Sequence, residues 1–187
     1  MQTHRDQYTI NDSNDNNKNI LLKKIQFPPL ENNKNAINVF DEINQAIISN
    51  DTSKLIDLIN SNSKHIPNVC SNSWETPLFL CIDFDNSKAL NILLKNCVDC
   101  NIQNNDGNTP LHMAIIKNKE NCINVLLDNR ANPNIANKVK IQTPFHLAVI
   151  NKVNENILQK FKRNNADWNI KDKDNKTPFD YAIIFHY

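Results

Sequence analysis

Glycine is almost missing from this chain, which contains a single one, Gly107, among its 187 residues. Loops that wrap phosphate groups with backbone N–H groups need several closely spaced glycines, so the common nucleotide-binding motifs are excluded. No Ser-His-Asp set and no pair of carboxylates recurs at a spacing that suggests catalysis. We therefore expect a protein that is not an enzyme and that uses no cofactor.

An excess of charge of one sign is also missing. The formal net charge is +1, and no block rich in Lys and Arg occurs along the chain. The basic surface with which proteins bind nucleic acids is therefore not expected. Residues 1–19 lack the apolar region of a signal peptide, and no later apolar run is long enough to cross a bilayer. We expect neither nucleic acid nor a membrane as a direct partner.

Cysteine occurs in an odd number that does not fit a secreted disulfide framework. The five cysteines are scattered through segments with helical patterning, as is typical of a reducing compartment. We expect a cytoplasmic protein, with the nucleus, or the host cytoplasm for a viral or injected protein, as alternatives. Cys97 and Cys100 have CxxC spacing, but no second pair of Cys or His residues completes a zinc site. We therefore expect no bound metal.

What the chain does have is an internal repeat. The dipeptide Thr-Pro occurs four times, and successive threonines are 33, 34 and 34 residues apart. Residues 109–114 read TPLHMA, and residues 143–148 read TPFHLA. The period and the motif resemble those of ankyrin repeats, and the resemblance extends over about residues 36–187. It implies an all-α repeat solenoid, in which helix pairs are linked by β-hairpin loops.

Each copy of the repeat makes physical sense where its first helix begins. Threonine is a good N-cap residue, and proline is favoured next because its missing N–H group would be unpaired there anyway. The residue two places after each threonine is large and apolar, and the residue five places after it is small. These residues are Leu78, Leu111, Phe145 and Phe179 in the first case and Cys81, Ala114, Ala148 and Ala182 in the second. The resemblance implies that His112 and His146 have a structural, hydrogen-bonding role.

The pattern divides the chain into three parts. Residues 1–34 are polar and rich in Asn, and we expect a flexible arm. Residues 35–66 have apolar residues at helical spacing without Thr-Pro, as expected of an N-terminal capping helix pair. Residues 67–187 contain three full ankyrin repeats and a partial one at the C-terminus. Ile183 and Phe185 in the partial repeat have no following helix to pack on, so we expect a frayed end or a covering partner.

The turn between repeats departs from the ankyrin pattern. The position of Gly107 is occupied by Trp74, Ile141 and Asn175 in the other copies. Asn readily adopts a left-handed backbone conformation, whereas Trp and Ile do so only with strain. We therefore expect the hairpins at Trp74 and Ile141 to be built differently, and the second of them contains one additional residue.

The ankyrin resemblance also implies which residues bind a partner protein. At the ends of the inner helices they are Asp83, Phe84, Ile116, Lys117, Ile150 and Asn151, and at the hairpin tips they are Trp74, Asn105, Asp106, Lys138, Lys140, Lys173 and Asp174. Together with Ile184, the residues Phe84, Ile116 and Ile150 would form an exposed apolar stripe, which usually indicates a partner. Trp74 is the favoured central contact, since exposed Trp is enriched in such places, and the alternative is that it packs on a neighbouring loop.

Two segments resemble one branch of the ankyrin proteins in particular. Residues 142–150 read QTPFHLAVI and residues 106–116 read DGNTPLHMAII, and both look like segments of the I-kappa-B family. This resemblance implies a monomeric inhibitor that holds Rel/NF-kappa-B dimers in the cytoplasm and dampens immune signalling. The chain has no Asp-Ser-Gly degradation signal and no acidic tail, and in this it is similar to the short viral proteins of polydnaviruses.

Two other interpretations stay open. An intracellular effector, or an orphan ankyrin scaffold, would use the same residues to bind an unrelated protein. A purely structural module, cut from a longer ankyrin protein, would have no partner of its own. Affinity capture of partners would distinguish the three.

Overall fold

The computed structural model describes residues 34–62, 76–96 and 98–185. Within these ranges the chain forms α-helices and turns, and no β-strand is present. The helices are α1 (Lys34–Ile48), α2 (Thr52–Asn62), α3 (Pro77–Asp83), α4 (Ser87–Lys95), α5 (Pro110–Ile116), α6 (Glu120–Asp128), α7 (Pro144–Ile150), α8 (Glu155–Arg163) and α9 (Pro178–Ile184). The segment expected to be a flexible arm, residues 1–34, lies outside the described residues except for Lys34, the first residue of α1. Trp74 and Cys97 also lie outside them.

The helices stack in two layers. Each odd-numbered helix contacts the next one from α1 to α9, and each even-numbered helix contacts the next one from α2 to α8. The odd-numbered helices are called the inner helices below, and the even-numbered ones the outer helices. Contacts between α1 and α2, α3 and α4, and α5 and α6 join the two layers. This arrangement confirms the predicted all-α repeat solenoid.

The apolar core lies between the two layers. Leu78, Leu111 and Phe145, each two places after a capping threonine, are at most 1% exposed. The small residue five places after each of these threonines is completely buried in the same three repeats. The repeated spacing of the sequence therefore corresponds to a repeated packing position in the stack.

The last repeat differs because no described residue follows its inner helix to cover it. Phe179 is 57% exposed, although its counterparts in the earlier repeats are buried. Ile183 is 60% exposed, in agreement with the expectation that it has no neighbour to pack on. Phe185 is half-buried, and its ring is stacked on that of Tyr181 at a centroid distance of 6.2 Å.

Three loops lead into α5, α7 and α9, and in each of them a backbone hydrogen bond joins the first residue to the last. They are called the first tip (residues 104–108), the second tip (residues 137–142) and the third tip (residues 172–176). The closing bonds run from the N–H groups of Asn104, Asn137 and Asp172 to the carbonyl oxygens of Asn108, Gln142 and Lys176, over 3.0, 2.8 and 2.9 Å. The second tip therefore contains one residue more than its neighbours, as its sequence indicates.

The residue two places before the capping threonine is left-handed at all three tips. Gly107, Ile141 and Asn175 have φ angles of 76°, 56° and 60°. The expectation that the Ile141 hairpin avoids this conformation is wrong, because its additional residue is accommodated earlier in the loop. A non-glycine residue held in such a conformation is strained by roughly 1–3 kcal/mol, and a β-branched one fits it poorly. The second tip thus stores strain at Ile141.

Gly107 is needed for a second reason, which is the close approach of neighbouring tips. A Cβ atom on Gly107 would lie 2.7 Å from the backbone nitrogen of Lys138. That N–H group donates to the carbonyl oxygen of Asp106 (2.9 Å), and the N–H group of Lys173 donates to that of Lys140 (2.9 Å). The three tips are therefore held in register along one edge of the stack.

The helices α5, α7 and α9 begin with a capping box in which the third helical residue bonds back to the threonine. In α5, the N–H group of Thr109 donates to Nδ1 of His112 (3.0 Å), and the N–H group of His112 donates to Oγ1 of Thr109 (3.4 Å). The other ring nitrogen of His112 lies 2.9 Å from the carbonyl oxygen of Gln142. His146 makes the equivalent contacts with Thr143 and with the third tip. Both histidines thus connect one repeat to the next.

The capping threonine of α3 lacks such a partner. The third residue of α3 is Phe79, whose side chain cannot hydrogen-bond, and Oγ1 of Thr76 is buried without a partner among the described residues. Burial of a hydroxyl group that makes no hydrogen bond costs about 1–3 kcal/mol. The α3 helix therefore begins less favourably than α5 and α7.

The two threonines provide a matched pair of substitutions. We expect Thr109→Val to lower the free energy of unfolding by about 1 kcal/mol, because it removes a helix cap. Thr76→Val should leave that free energy unchanged or raise it, because the hydroxyl group that it removes is unpaired. Urea unfolding followed by circular dichroism measures both values. An equal loss of stability in the two variants would contradict this assignment of the caps.

Burial also changes how the two histidines titrate. Burial lowers the pKa of His112 to about 4, although the hydrogen bond to the Gln142 carbonyl opposes the change. Burial lowers the pKa of His146 as well. Both rings are therefore neutral in the folded protein at neutral pH.

Mild acid is expected to destabilise the stack through His112. In the unfolded chain its imidazole takes up a proton near pH 6.5, whereas the folded protein resists protonation until about pH 4. The contribution of His112 to the free energy of unfolding is complete above pH 6.5 and decreases towards pH 4. The loss between pH 7 and pH 5 is about 2 kcal/mol. Urea unfolding at these two pH values should give a smaller difference for His112→Gln than for the unaltered chain. The same pH dependence in both proteins would rule out this role of His112.

Candidate functional site

The inner helices end side by side, and the residues there form what is called the inner face below. Ile116 and Ile184, the last residues of α5 and α9, are 49% and 46% exposed. Phe84, directly after α3, is 51% exposed. Ile150 at the end of α7 is half-buried rather than exposed. The expected apolar stripe is therefore present but interrupted at Ile150.

Ile48 at the end of α1 belongs to the same row and was missed in the sequence. It is 43% exposed and lies two places before the left-handed Asn50, just as Ile116 lies two places before the left-handed Asn118. Ile48 and Phe84 also line a cavity of about 270 Å³ between the ends of α1 and α3. The capping pair has no Thr-Pro to set its register, so only the apolar periodicity of α1 pointed to Ile48.

The polar residues predicted for the inner face are engaged within the stack. Nζ of Lys117 lies 2.7 Å from Oδ1 of Asp83, and Nζ of Lys119 lies 3.7 Å from Oδ2 of Asp85. The side-chain amide of Asn151 donates to a backbone carbonyl of α5 (3.3 Å). Ion pairs with this degree of exposure are typically worth 0–1 kcal/mol, so a partner could replace them at little cost. The apolar residues are the ones on this face that lack such neighbours.

The second group of predicted residues lies on the tips. All of those within the described residues are exposed, namely Asn105, Asp106, Lys138, Lys140, Lys173 and Asp174. The tips precede the inner helices, whereas the inner face is at the other end of the same helices. A helix of seven residues is about 10 Å long, so the two groups are separated by roughly that distance. The favoured central contact, Trp74, lies outside the described residues.

Two exposed apolar residues of the second tip were also missed. Val139 is 58% exposed and Ile141 is 48% exposed. In the sequence they alternate with Lys138 and Lys140 in the loop that has the additional residue. The insertion was the feature of the sequence that could have identified them. An enlarged loop with apolar residues at its tip is unusual for a part of the surface with no binding role.

A buried carboxylate joins the second and third tips. Asp172 accepts hydrogen bonds from the side-chain amide of Gln142 (3.1 Å) and from the hydroxyl group of Tyr181 (2.7 Å). Burial would raise the pKa of Asp172, but these bonds and two from backbone N–H groups lower it. Burial and the neighbouring carboxylate raise the pKa of Tyr181 to about 12. Asp172 is therefore ionised, and it orders the third tip by accepting hydrogen bonds from other groups of the same chain.

The cysteines in the described residues are not activated. Burial raises the pKa of Cys81 and of Cys100, and it raises that of Cys122 to about 12. A thiol in this state is protonated at neutral pH and is a poor nucleophile and metal ligand. No group of His, Cys, Asp and Glu residues that could hold a metal ion was found in the part of the chain that is described.

Length and apolar composition also decide whether a helix can cross a bilayer. None of the helices in residues 34–62, 76–96 and 98–185 combines the length and the apolar composition that crossing a bilayer requires.

Comparison with known proteins agrees with the geometry. A family model described as ankyrin repeats, three copies, matches residues 43–137, which is just over half of the chain. No curated protein matches the chain. The matched segment begins in α1 and ends in the second tip, and α7, α8 and α9 continue the same stack beyond it. The chain belongs to the ankyrin-repeat family, whose members are generally non-enzymatic modules for protein–protein interaction.

Proposed function

We propose that this protein binds a partner protein with its inner face. The observation that carries the proposal is a row of exposed apolar residues at the ends of the inner helices α1, α3, α5 and α9, interrupted only at the half-buried Ile150 of α7. They are Ile48, Phe84, Ile116 and Ile184. Several exposed apolar residues on one face are typical of binding surfaces, because their burial against a partner is favourable. The tip residues would form a polar border at the other end of the same helices.

The backbone supports this use of the inner face. Each of the helices α1, α3, α5 and α7 is followed by a left-handed residue, namely Asn50, Asp85, Asn118 and Lys152. The ends of these four inner helices are therefore held by the same kind of turn. A surface that is rigid before binding loses little conformational entropy on association, which favours affinity.

The division of the chain that goes with this function is also a proposal. Residues 35–66 would cap the stack with α1 and α2, residues 67–187 would form its ankyrin repeats, and residues 1–34 would be an arm outside it. In this arrangement the cap contributes Ile48 to the binding row, so that the row spans both parts.

The specific partner that we propose is a Rel/NF-kappa-B dimer. The support for it is the resemblance of residues 142–150 and 106–116 to segments of the I-kappa-B family. The protein would act as a monomer that retains the transcription factor in the cytoplasm, and without a degradation signal it would persist after immune stimulation.

The alternative is an unrelated partner, as for an intracellular effector or an orphan scaffold. One observation favours this alternative. Most of the residues that carry the I-kappa-B resemblance are inside the stack: Gln142, Thr143, Phe145 and His146 are all at most 4% exposed. Residues in such positions stabilise the repeats and do not contact a partner. A resemblance in the core speaks for the fold more than for the identity of the ligand.

Binding through the inner face can be tested without knowing the partner. We expect the double variant Ile116→Asp/Ile184→Asp to lose proteins that the unaltered chain captures from cell extract, because buried charges on the face oppose association. The matched control is Ile56→Asp, which changes an isoleucine that is 43% exposed on the outer helix α2. Mass spectrometry of the captured proteins gives the comparison. Proteins lost equally from both variants would speak against the inner face.

The Rel hypothesis has its own test with purified components. We expect the chain to bind a Rel-family dimer with a dissociation constant below about 1 μM in calorimetry, and Ile116→Asp/Ile184→Asp to weaken this at least about tenfold, equivalent to roughly 1.4 kcal/mol. Absence of binding to every Rel dimer at micromolar concentration would refute the I-kappa-B-like role and leave the interaction module without that partner.

A further inference from the structure

The second tip has three features that the neighbouring tips do not share. It contains one additional residue, it exposes two β-branched apolar side chains, and one of these, Ile141, is left-handed with φ of 56°. The first and third tips have Gly107 and Asn175 at that position, which are residues that accept the conformation easily. Replacement of Ile141 by Asn would relieve the strain, so the fold alone does not explain the isoleucine.

The second tip is also held rigidly. Oδ1 of Asn137 accepts from the N–H groups of Lys140 (3.3 Å) and Gln142 (3.1 Å), so one side chain spans the loop from inside. The Asn137 amide donates to Oδ1 of Asn108 in the first tip (3.1 Å). With the backbone bonds to both neighbouring tips, these contacts hold the exposed pair Val139 and Ile141 in one conformation. Residues held in this way can be buried by a partner with little loss of entropy.

The charge around the pair has one predominant sign. The second tip carries Lys138 and Lys140 and no acidic residue. Lys171, directly before the third tip, and Lys173 within it are exposed, whereas Asp172 is buried and accepts hydrogen bonds from Gln142 and Tyr181. None of these four lysines forms a salt bridge within the described part of the chain, in contrast to Lys117, Lys119 and Lys160. Three carboxylates on the adjacent tips, the exposed Asp106 and Asp174 and the buried, ionised Asp172, reduce the charge of the four lysines to a net +1 without reversing it.

We propose that the second tip is a docking site for an acidic protein segment that places apolar side chains against Val139 and Ile141. This inference rests on the proposed protein-binding function and adds a second contact about 10 Å from the inner face, with a stated chemistry for the ligand. The apolar pair supplies the area that is buried, and the surrounding lysines select carboxylates over lysines in the partner. The strain at Ile141 is kept because the isoleucine serves binding, as is common at ligand-contacting loops.

The test uses an array of short peptides with every pair of apolar and aromatic residues at the centre, flanked by Glu in one set and by Lys in the other. We expect the full chain to bind members of the Glu set only, with affinity that falls as salt is added. Val139→Ser/Ile141→Asn and Lys138→Glu/Lys140→Glu should each weaken this binding at least about tenfold. Val139→Ser/Ile141→Asn should at the same time raise the melting temperature by roughly 2–4 °C, which separates loss of binding from loss of fold.

Three outcomes would overturn the inference. They are equal binding of the Glu and Lys sets, absence of binding by any Glu peptide, and tighter binding of single-stranded oligothymidylate, which would make the site a nucleic-acid contact. The control is Ile116→Asp/Ile184→Asp, which should bind the Glu peptides as the unaltered chain does. If Ile116→Asp/Ile184→Asp loses captured proteins while the tip variants behave like the unaltered chain, the inner-face function stands and only the proposal for the second tip is refuted.

Discussion

The imidazole ring of His112 takes part in the cap of the inner helix α5 and also contacts the next repeat. One nitrogen of His112 closes the capping box with Thr109, and the other contacts the carbonyl oxygen of Gln142, which lies just before α7. The side chain of Gln142 continues to Asp172, where the third tip begins. Because each repeat has too little core to be stable alone, such links decide whether the stack behaves as one unit. The rigidity of both candidate binding surfaces depends on them.

The scarcity of glycine places a second constraint on the stack. Nine residues in the described turns are left-handed, and four of them are Asn50, Asn118, Asn165 and Asn175, where the short side chain tolerates the conformation. Other asparagines connect repeats: the Oδ1 atoms of Asn101 and Asn134 each accept a backbone N–H group from the following repeat. The high Asn content thus has a structural use in the described residues. Ile141 stands out against this background because Asn would have served at its position.

The inner face and the second tip differ in what they offer a partner. On the inner face, charged residues such as Asp83 and Lys117 are paired with each other, so the exposed isoleucines provide most of what a partner can bury. On the second tip, lysines without salt bridges surround a small apolar pair, so charge contributes to selection there. The two surfaces lie at opposite ends of the same inner helices. A partner that contacted both would gain affinity from two sites held at a fixed distance.

Local chemistry that repeats at a fixed period was readable from the sequence. The Thr-Pro dipeptides determined where the inner helices begin, which residues are buried and that the repeats stack, because capping and apolar spacing act within a few residues. Ile116 and Ile184 followed from the same register, and Phe84 followed as the residue one place after it in the first repeat. The partial burial of Ile150, the pairing of Asp83 with Lys117 and the left-handed Ile141 were decided only in the tertiary structure. The ion pair joins two neighbouring repeats, and the burial of Ile150 and the backbone angle of Ile141 depend on how the folded chain packs, which no local pattern specifies.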